Sequence, residues 1–126
     1  MDIYREVILD HYKHPRNFGH LDKPDAKVEE GNVTCGDRIV MEIHVTRNPP
    51  HVTIRDIRFS GEGCAISMAS ASMLTEKVKG MNTADILKLK TDDIIEMLGT
   101  TLTPSRIKCA TLPLEVLQKG VLQIKQ

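Results

Sequence analysis

The spacing of hydrophobic residues changes period several times along the chain. Ile3, Val7 and Ile8, with Tyr12, recur at helical spacing and predict a first helix that Asp2 can cap. His14-Pro15 stops it, because a residue before proline disfavours helix. Pro15 to Asp25 reads as an irregular connection, Lys27 to Glu30 as a weak edge strand, and Gly31 to Asp37 as a loop without periodicity. Ile39, Met41, Ile43 and Val45 then alternate with Val40, Glu42, His44 and Thr46, the period of a half-buried strand. Asn48-Pro49-Pro50 turns the chain. Val52 and Ile54 open the next strand, which continues with Ile57 and Phe59. The apolar phase therefore slips by one across Arg55-Asp56, which predicts a β-bulge.

Beyond Cys64 the period lengthens. Ile66, Ala69, Met73, Leu74 and Val78 mark one face of a helix that Gly80 can end, and Ser67, Ser70, Ser72, Thr75 and Glu76 mark a face expected in solvent. Asn82-Thr83-Ala84-Asp85 resembles a capping box opening a helix to about Lys88. Thr91, before Asp92-Asp93, caps another helix closed by Gly99. Thr103-Pro104 punctuates again, and Pro113 is placed in the first turn of a last helix through Val116, Leu117 and Val121. This order predicts an α+β fold: a small three-stranded antiparallel sheet with an N-terminal helix and several C-terminal helices packed on it. Residues 1–126 are expected to form one domain.

Composition removes several function classes. Seventeen basic and seventeen acidic residues give zero net charge, so there is no electrostatic footprint for nucleic acid or an anionic membrane. Two Phe, two Tyr and no Trp offer no stacking platform for single strands. No apolar run spans a bilayer, and residues 1–20 are too charged for a signal peptide. With three cysteines, an odd number, a reducing cytoplasmic location is expected, where thiols bind metal or react.

Those cysteines carry the candidate chemistry. Cys35 lies in Thr34-Cys35-Gly36-Asp37, Cys64 in Gly61-Glu62-Gly63-Cys64, and Cys109 in Arg106-Ile107-Lys108-Cys109. Each is expected where a loop turns into a regular element. Three thiolates with the Asp37 carboxylate would make a four-ligand set for a thiophilic metal or one end of an iron–sulfur cluster. If the two clear strands pair as a hairpin, their outer ends meet, which brings Cys35 and Cys64 to one end of the sheet. Cys109 must come from the helical half folding back, which local pattern does not show. A helix opening at Cys64 would turn unpaired N–H groups toward an anionic sulfur. Arg38 and Lys108 add positive charge beside these groups, and Gly36, Gly61 and Gly63 leave room beside the ligands for a bulky cofactor. Taken alone, each cysteine is more often a small buried hydrophobe than a ligand, and Asp37 is as readily a turn or cap residue. His11, His14, His20, His44 and His51 show no ligand spacing and read as surface or structural. A site of three thiolates and one hard oxygen holds a cluster less firmly than four thiolates would, which suits a protein that builds a cluster and gives it away.

Several segments, in order, resemble the iron–sulfur cluster assembly scaffold family of IscU, the NifU N-terminal domain and SufU. They are Tyr12-Lys13-His14-Pro15-Arg16-Asn17-Phe18-Gly19, Cys35-Gly36-Asp37, Phe59-Ser60-Gly61-Glu62-Gly63-Cys64-Ala65-Ile66-Ser67, Ala69-Ser70-Ala71-Ser72, Val78-Lys79-Gly80 and Arg106-Ile107-Lys108-Cys109-Ala110-Thr111-Leu112. The resemblance implies the same α+β fold and one exposed site with Cys35, Asp37, Cys64 and Cys109 as ligands. It implies that a cysteine desulfurase delivers persulfide sulfur, with Cys109 the primary acceptor, that iron arrives separately, and that a [2Fe-2S] cluster is assembled and passed to apo iron–sulfur acceptor proteins. Asp37 would be the labile ligand, and zinc can occupy the site instead. The loaded form could protect an exposed cluster edge as a homodimer or convert it to [4Fe-4S].

The chain departs from IscU in two places. Lys108 stands where IscU proteins have histidine, so Asp37, or less readily a neutral Lys108, completes the ligand set. Leu102-Thr103-Pro104-Ser105-Arg106 only partly matches the Leu-Pro-Pro-Val-Lys segment read by a dedicated Hsp70-type chaperone, which leaves that partner open. The motifs around Cys64 and Cys109 look like SufU, a zinc-bound sulfur acceptor. SufU carries a long insertion before its last cysteine, whereas only 44 residues separate Cys64 from Cys109 here, as in IscU. The expected function is a cluster scaffold, not an enzyme in the strict sense, with a zinc-dependent sulfurtransferase as the alternative.

Overall fold

The computed structural model describes residues 3–32 and 36–124. The Asp2 cap and Cys35 lie outside the described residues. The elements run α1 (Ile3–Lys13), β1 (Ala26–Asn32), β2 (Asp37–Asn48), β3 (His51–Glu62), α2 (Ala65–Val78), α3 (Thr83–Ile86), α4 (Thr91–Leu98) and α5 (Pro104–Gln123). The strands form one antiparallel sheet in the order β1-β2-β3. This is the α+β architecture expected from the pattern.

The sheet is longer and tighter than periodicity alone indicated. Gly31 and Asn32 extend β1 and Asp37 opens β2, with Asn32 and Asp37 as register partners. Gly36 (φ 71°) donates its N–H to the Asn32 carbonyl at 2.8 Å, a conformation glycine adopts without cost. Between β2 and β3, His44 pairs with Asp56 and Val45 with Ile54, which leaves Arg55 unmatched. That is the expected bulge, and it turns Ile54 and Ile57 into the same core although they are three apart. The outer edge of β3 is covered near the site by Asn17–Gly19: Phe59 donates to Asn17 O and Gly19 donates to Phe59 O. Phe18 adds an edge-to-face contact with Phe59 at 5.3 Å.

The core lies between one face of the sheet and the helices. Ile39, Met41 and Ile43 from β2, and Ile54, Ile57 and Phe59 from β3, pack with Leu74, Ile86, Ile94, Leu98, Val116 and Leu117. α5 approaches the strands at Gly120, where a Cβ would fall 2.9 Å from Ile43 Cδ1. The other face of β2 is also sheltered. Glu42 is buried there, accepting from the Leu21 N–H and paired with His20 Nδ1 at 2.7 Å. Burial works to raise the Glu42 carboxyl, but His20, the Leu21 N–H and Lys27 outweigh it and hold the group below its ordinary range.

Four helical expectations need correction. The Ser67, Ser70, Ser72 and Thr75 face of α2 is buried, because α2 is enclosed by α1, α5, β3 and α4. Short hydroxyl side chains tolerate this by returning their hydrogen bonds to nearby groups. Ser70 Oγ donates to the Ala110 carbonyl at 2.6 Å, Thr75 Oγ1 donates to Ser72 O at 2.9 Å, and Ser72 Oγ accepts the Arg16 N–H and pairs with His11 Nδ1 at 2.7 Å. Among the described residues no buried side-chain N or O atom lacks a partner.

The last helix begins at Pro104, and Pro113 lies inside it. Proline suits the first helical position because its missing N–H would have no intrahelical partner there, and Pro104 takes that place. Thr91 begins α4 and Lys90 is the cap, with the Asp93 carboxylate accepting the Lys90 N–H at 2.8 Å. α3 is a single short turn ending at Ile86. Gly99 (φ 72°) closes α4 as expected, and the Tyr4 ring of α1 lies against its bare Cα. α1 itself buries Ile8 and His11 and leaves Ile3, Tyr4, Val7, Leu9 and Tyr12 exposed. Among the described residues no helix is long and apolar enough to cross a membrane.

Candidate metal centre

β2 begins at Asp37 and β3 ends at Glu62, one pairing step away, since Arg38 is opposite Glu62. The next residues, Gly63 and Cys64, carry the chain off the sheet, and Cys64 becomes the N-cap of α2 in an extended conformation. The hairpin thus brings Asp37 and Cys64 together, as its geometry required. The Asp37 Oδ1 accepts the Cys64 N–H at 2.9 Å, and Asp37 Oδ2 lies 3.9 Å from Cys64 Sγ. The carboxylate therefore occupies the anion-binding end of α2 and satisfies one of its otherwise unpaired donors.

Cys109 arrives from α5. It lies inside the helix, one turn beyond Ser105, whose carbonyl is 3.7 Å from its sulfur; the expectation of a loop boundary there is corrected. The stitch from Ser70 Oγ to the carbonyl of the next residue, Ala110, ties this part of α5 to α2. One ligand atom each from Asp37, Cys64 and Cys109 lies within 4.8 Å of the others. Donor atoms around a tetrahedral zinc are about 3.3–3.8 Å apart, as bond lengths of roughly 2.0–2.3 Å require. Two soft sulfurs and one hard oxygen, preassembled to within about an ångström of closure, fit a thiophilic metal.

The centre is more sheltered than the exposed site implied by resemblance. Asp37 and Cys109 are each 3% exposed, and Cys64 is the accessible one of these three described residues. Lys108 is exposed on α5. Among the histidines, His11 is buried in a structural contact with Ser72, and His20 and His44 are engaged by Glu42 and by the Asp22 carbonyl.

The room expected beside the glycines is mostly taken. A Cβ on Gly61 (φ 119°) would fall 2.0 Å from the Arg38 carbonyl oxygen across the strand pair. One on Gly63 would meet Ser67 Oγ and the Asp37 carboxylate, and only Gly36 of the three faces open space. Ser67, on the α2 face expected in solvent, is instead a buried neighbour of the site. Its hydroxyl donates to Cys64 O at 3.1 Å and lies 3.6 Å from Cys64 Sγ. Its position three residues after Cys64, the N3 place of a helix opening there, is the signal that marks it.

Fold and centre define a small α+β domain that gathers thiols and a carboxylate at one end of a three-stranded sheet. The chain belongs to the NifU-like N-terminal domain family, which matches residues 3–126. It is 40% identical to the zinc-dependent sulfurtransferase SufU of Bacillus subtilis, covering 94% of this chain and 89% of that protein. It is 42% identical to the iron–sulfur cluster assembly scaffold protein IscU of Aquifex aeolicus, covering 94% of this chain and 73% of the relative. The Escherichia coli IscU is 36% identical over 97% of this chain and 94% of its own length. The SufU alignment runs over 136 positions, more than this chain contains, so that relative carries residues absent here. Among solved structures, a hypothetical protein superposes with a TM-score of 0.81 at 33% identity, covering 95% of this chain and 97% of its own. A SUF-system scaffold from Fervidobacterium islandicum shares the fold, with a TM-score of 0.77 at 24% identity over 92% of this chain and 94% of its own.

Proposed function

We propose that the protein is a scaffold on which a [2Fe-2S] cluster is assembled and then handed to apo acceptor proteins. The observation that carries this reading is the convergence of Asp37, Cys64 and Cys109 from three separate elements. Cys35 completes the set. It is two residues from Asp37, so its Cα is at most about 7 Å from the Asp37 Cα whatever the loop does. The cluster is cargo, and the protein's part is to hold its iron by three thiolates and one carboxylate oxygen. Lys108 would stand by as an auxiliary cation.

Sulfur would come from a cysteine desulfurase. The Cys109 thiolate attacks the outer sulfur of the donor's persulfide. A new S–S bond forms on Cys109, and the donor cysteine leaves as a thiolate. Because the Asp37 Oδ1 is engaged by the Cys64 N–H, Oδ2 is the atom offered to metal, giving one-point ligation that exchanges easily.

A second reading is a zinc-dependent sulfurtransferase with the same four residues on zinc and Cys109 as nucleophile. The SufU-like segment through Lys108 and the 40% identity to SufU favour it. The shorter spacing between Cys64 and Cys109 favours the scaffold. Anaerobic incubation of the apo-protein with a desulfurase, cysteine and ferrous iron separates the two. Charge-transfer absorption with matched iron and acid-labile sulfide on this chain supports the scaffold. A colourless zinc protein bearing a persulfide, with faster desulfurase turnover, supports the sulfurtransferase.

A further inference from the structure

Gly63 connects β3 to the helix carrying Cys64, and its backbone is not among the positive-φ glycines. Conformation therefore does not call for glycine here, and any L-residue could adopt this backbone. Space does call for it. An ideal Cβ would sit 2.5 Å from Ser67 Oγ, 2.7 Å from Asp37 Oδ1 and 3.0 Å from Asp37 Cγ. Both neighbours are buried, Asp37 at 3% and Ser67 at 0% exposure. Both are tethered to Cys64, the carboxylate through its N–H and the hydroxyl through its carbonyl. Ser67 can rotate its hydroxyl away for the loss of one hydrogen bond. The carboxylate cannot move aside without leaving the Cys64 N–H, since Asp37 is fixed in β2 by its pairing with Asn32.

We infer that Gly63 is the positioning residue of the centre: its bare Cα is the seat on which the Asp37 carboxylate rests, with Oδ2 held toward the cysteine sulfurs. The inference rests on Asp37 being a metal ligand, as proposed above. A methyl group at position 63 would lift the carboxylate out of reach while leaving every donor side chain in the sequence. Gly63→Ala should therefore behave toward metal as Asp37→Ala does.

The test is an anaerobic titration of Co(II), then Zn(II) against a competing chelator, into apo wild type, Gly63→Ala, Asp37→Ala and the double variant. Thiolate-to-cobalt absorption counts the sulfurs, and the ligand-field bands report the geometry. Each single variant should bind at least tenfold more weakly than wild type with its thiolate bands retained. The double should fall within about twofold of either single. Wild-type affinity in Gly63→Ala, or a double variant weakened by the product of the two effects, overturns the inference. A wild type with no thiolate–cobalt bands defeats the metal-centre reading itself and the inference with it. If Gly63→Ala does not fold, the cycle is repeated in Ser67→Ala, where only the carboxylate collision remains. There Asp37→Ala should restore a cooperative melt to Gly63→Ala, and failure to do so overturns the inference.

Discussion

The Asp37 carboxylate accepts the Cys64 N–H at 2.9 Å, so the first residue of β2 satisfies the backbone donor of the residue that caps α2. One side chain thus has a part in the fold and, in the proposed function, a part in the chemistry. The two can be separated. Asp37→Asn keeps an oxygen for the N–H but is a poor ligand, whereas Asp37→Ala loses both. We expect Asp37→Ala to cost about 1–3 kcal/mol in the unfolding of the apo-protein, and Asp37→Asn distinctly less. Urea melts of the three proteins check this, and equal losses would show that the bond from the Cys64 N–H to this oxygen adds nothing to stability.

Affinity for a single ion and lability of a bound cluster are separate quantities. Although weaker for Co(II) and Zn(II), Asp37→Ala lacks the exchangeable oxygen that an acceptor thiolate would displace. With cluster bound it should therefore retain its cargo longer and transfer it several-fold more slowly to an apo-ferredoxin followed by circular dichroism. Faster loss from the variant would remove Asp37 from the role of labile ligand. Cys109→Ser should accept no persulfide from a desulfurase, read by mass spectrometry after alkylation. Full acceptance would move that role to Cys35 or Cys64.

Acid should weaken the fold in two stages. Burial, then the nearby Arg16, hold His11 below its ordinary value of 6.5, with Glu76 and Asp10 opposing. A depressed histidine contributes stability that is whole above 6.5 and is lost as pH falls through its folded value. Glu42 and Asp56, both held below their ordinary values despite burial that works to raise them, lose their contributions further down, as pH falls from about 4.5. His11→Gln keeps a partner for Ser72 and does not titrate. Denaturant midpoints across pH 4–7 should show that this variant lacks the first stage; an unchanged profile would assign that stage elsewhere.

Ser70→Ala removes the hydroxyl that donates to Ala110 O at 2.6 Å between α2 and α5. The expected loss is about 1–2 kcal/mol, or roughly 4 °C per kcal/mol in melting temperature. A neutral result would mean that α5 is held beside α2 by apolar packing alone.

Deleting Arg55 should be far more damaging than replacing it. The residue is the unmatched one in the bulge, and its loss would turn Val52 and Ile54 to the opposite face. We expect Arg55→Ala to fold with a change below about 0.5 kcal/mol and the deletion to yield no cooperative melt. A folded deletion would show that the register re-forms around a different pairing.

That bulge was legible in the sequence because a slip of one in a period of two is visible without any structure. The hairpin argument was legible too. It was made for Cys35 and Cys64; Cys35 lies outside the described residues, and Asp37, two residues on, is the described residue it brings to Cys64. The buried hydroxyl face of α2 was not. Serine and threonine carry the same pattern whether they face water or return their hydrogen bonds to the protein, and what surrounds α2 is decided by α1 and α5. Pro113 misled for a related reason: both it and Pro104 suit a helix start, and only packing shows that the helix runs from the earlier one through the later. The arrival of Cys109 rests on the docking of α5, which no local spacing records.

The three clustered donors come from the start of β2, the start of α2 and the middle of α5. Whatever bridges them joins stretches that are distant in sequence, closing two large loops at once. Lifting α5 away would break the bridge before any ligand had to be exchanged. Opening of α5 is thus a route of unloading separate from exchange of the Asp37 oxygen, and amide hydrogen exchange along Pro104–Gln123 would keep time with release wherever that route is the faster. A partner that pries at the far end of that helix could empty the site without ever touching a sulfur.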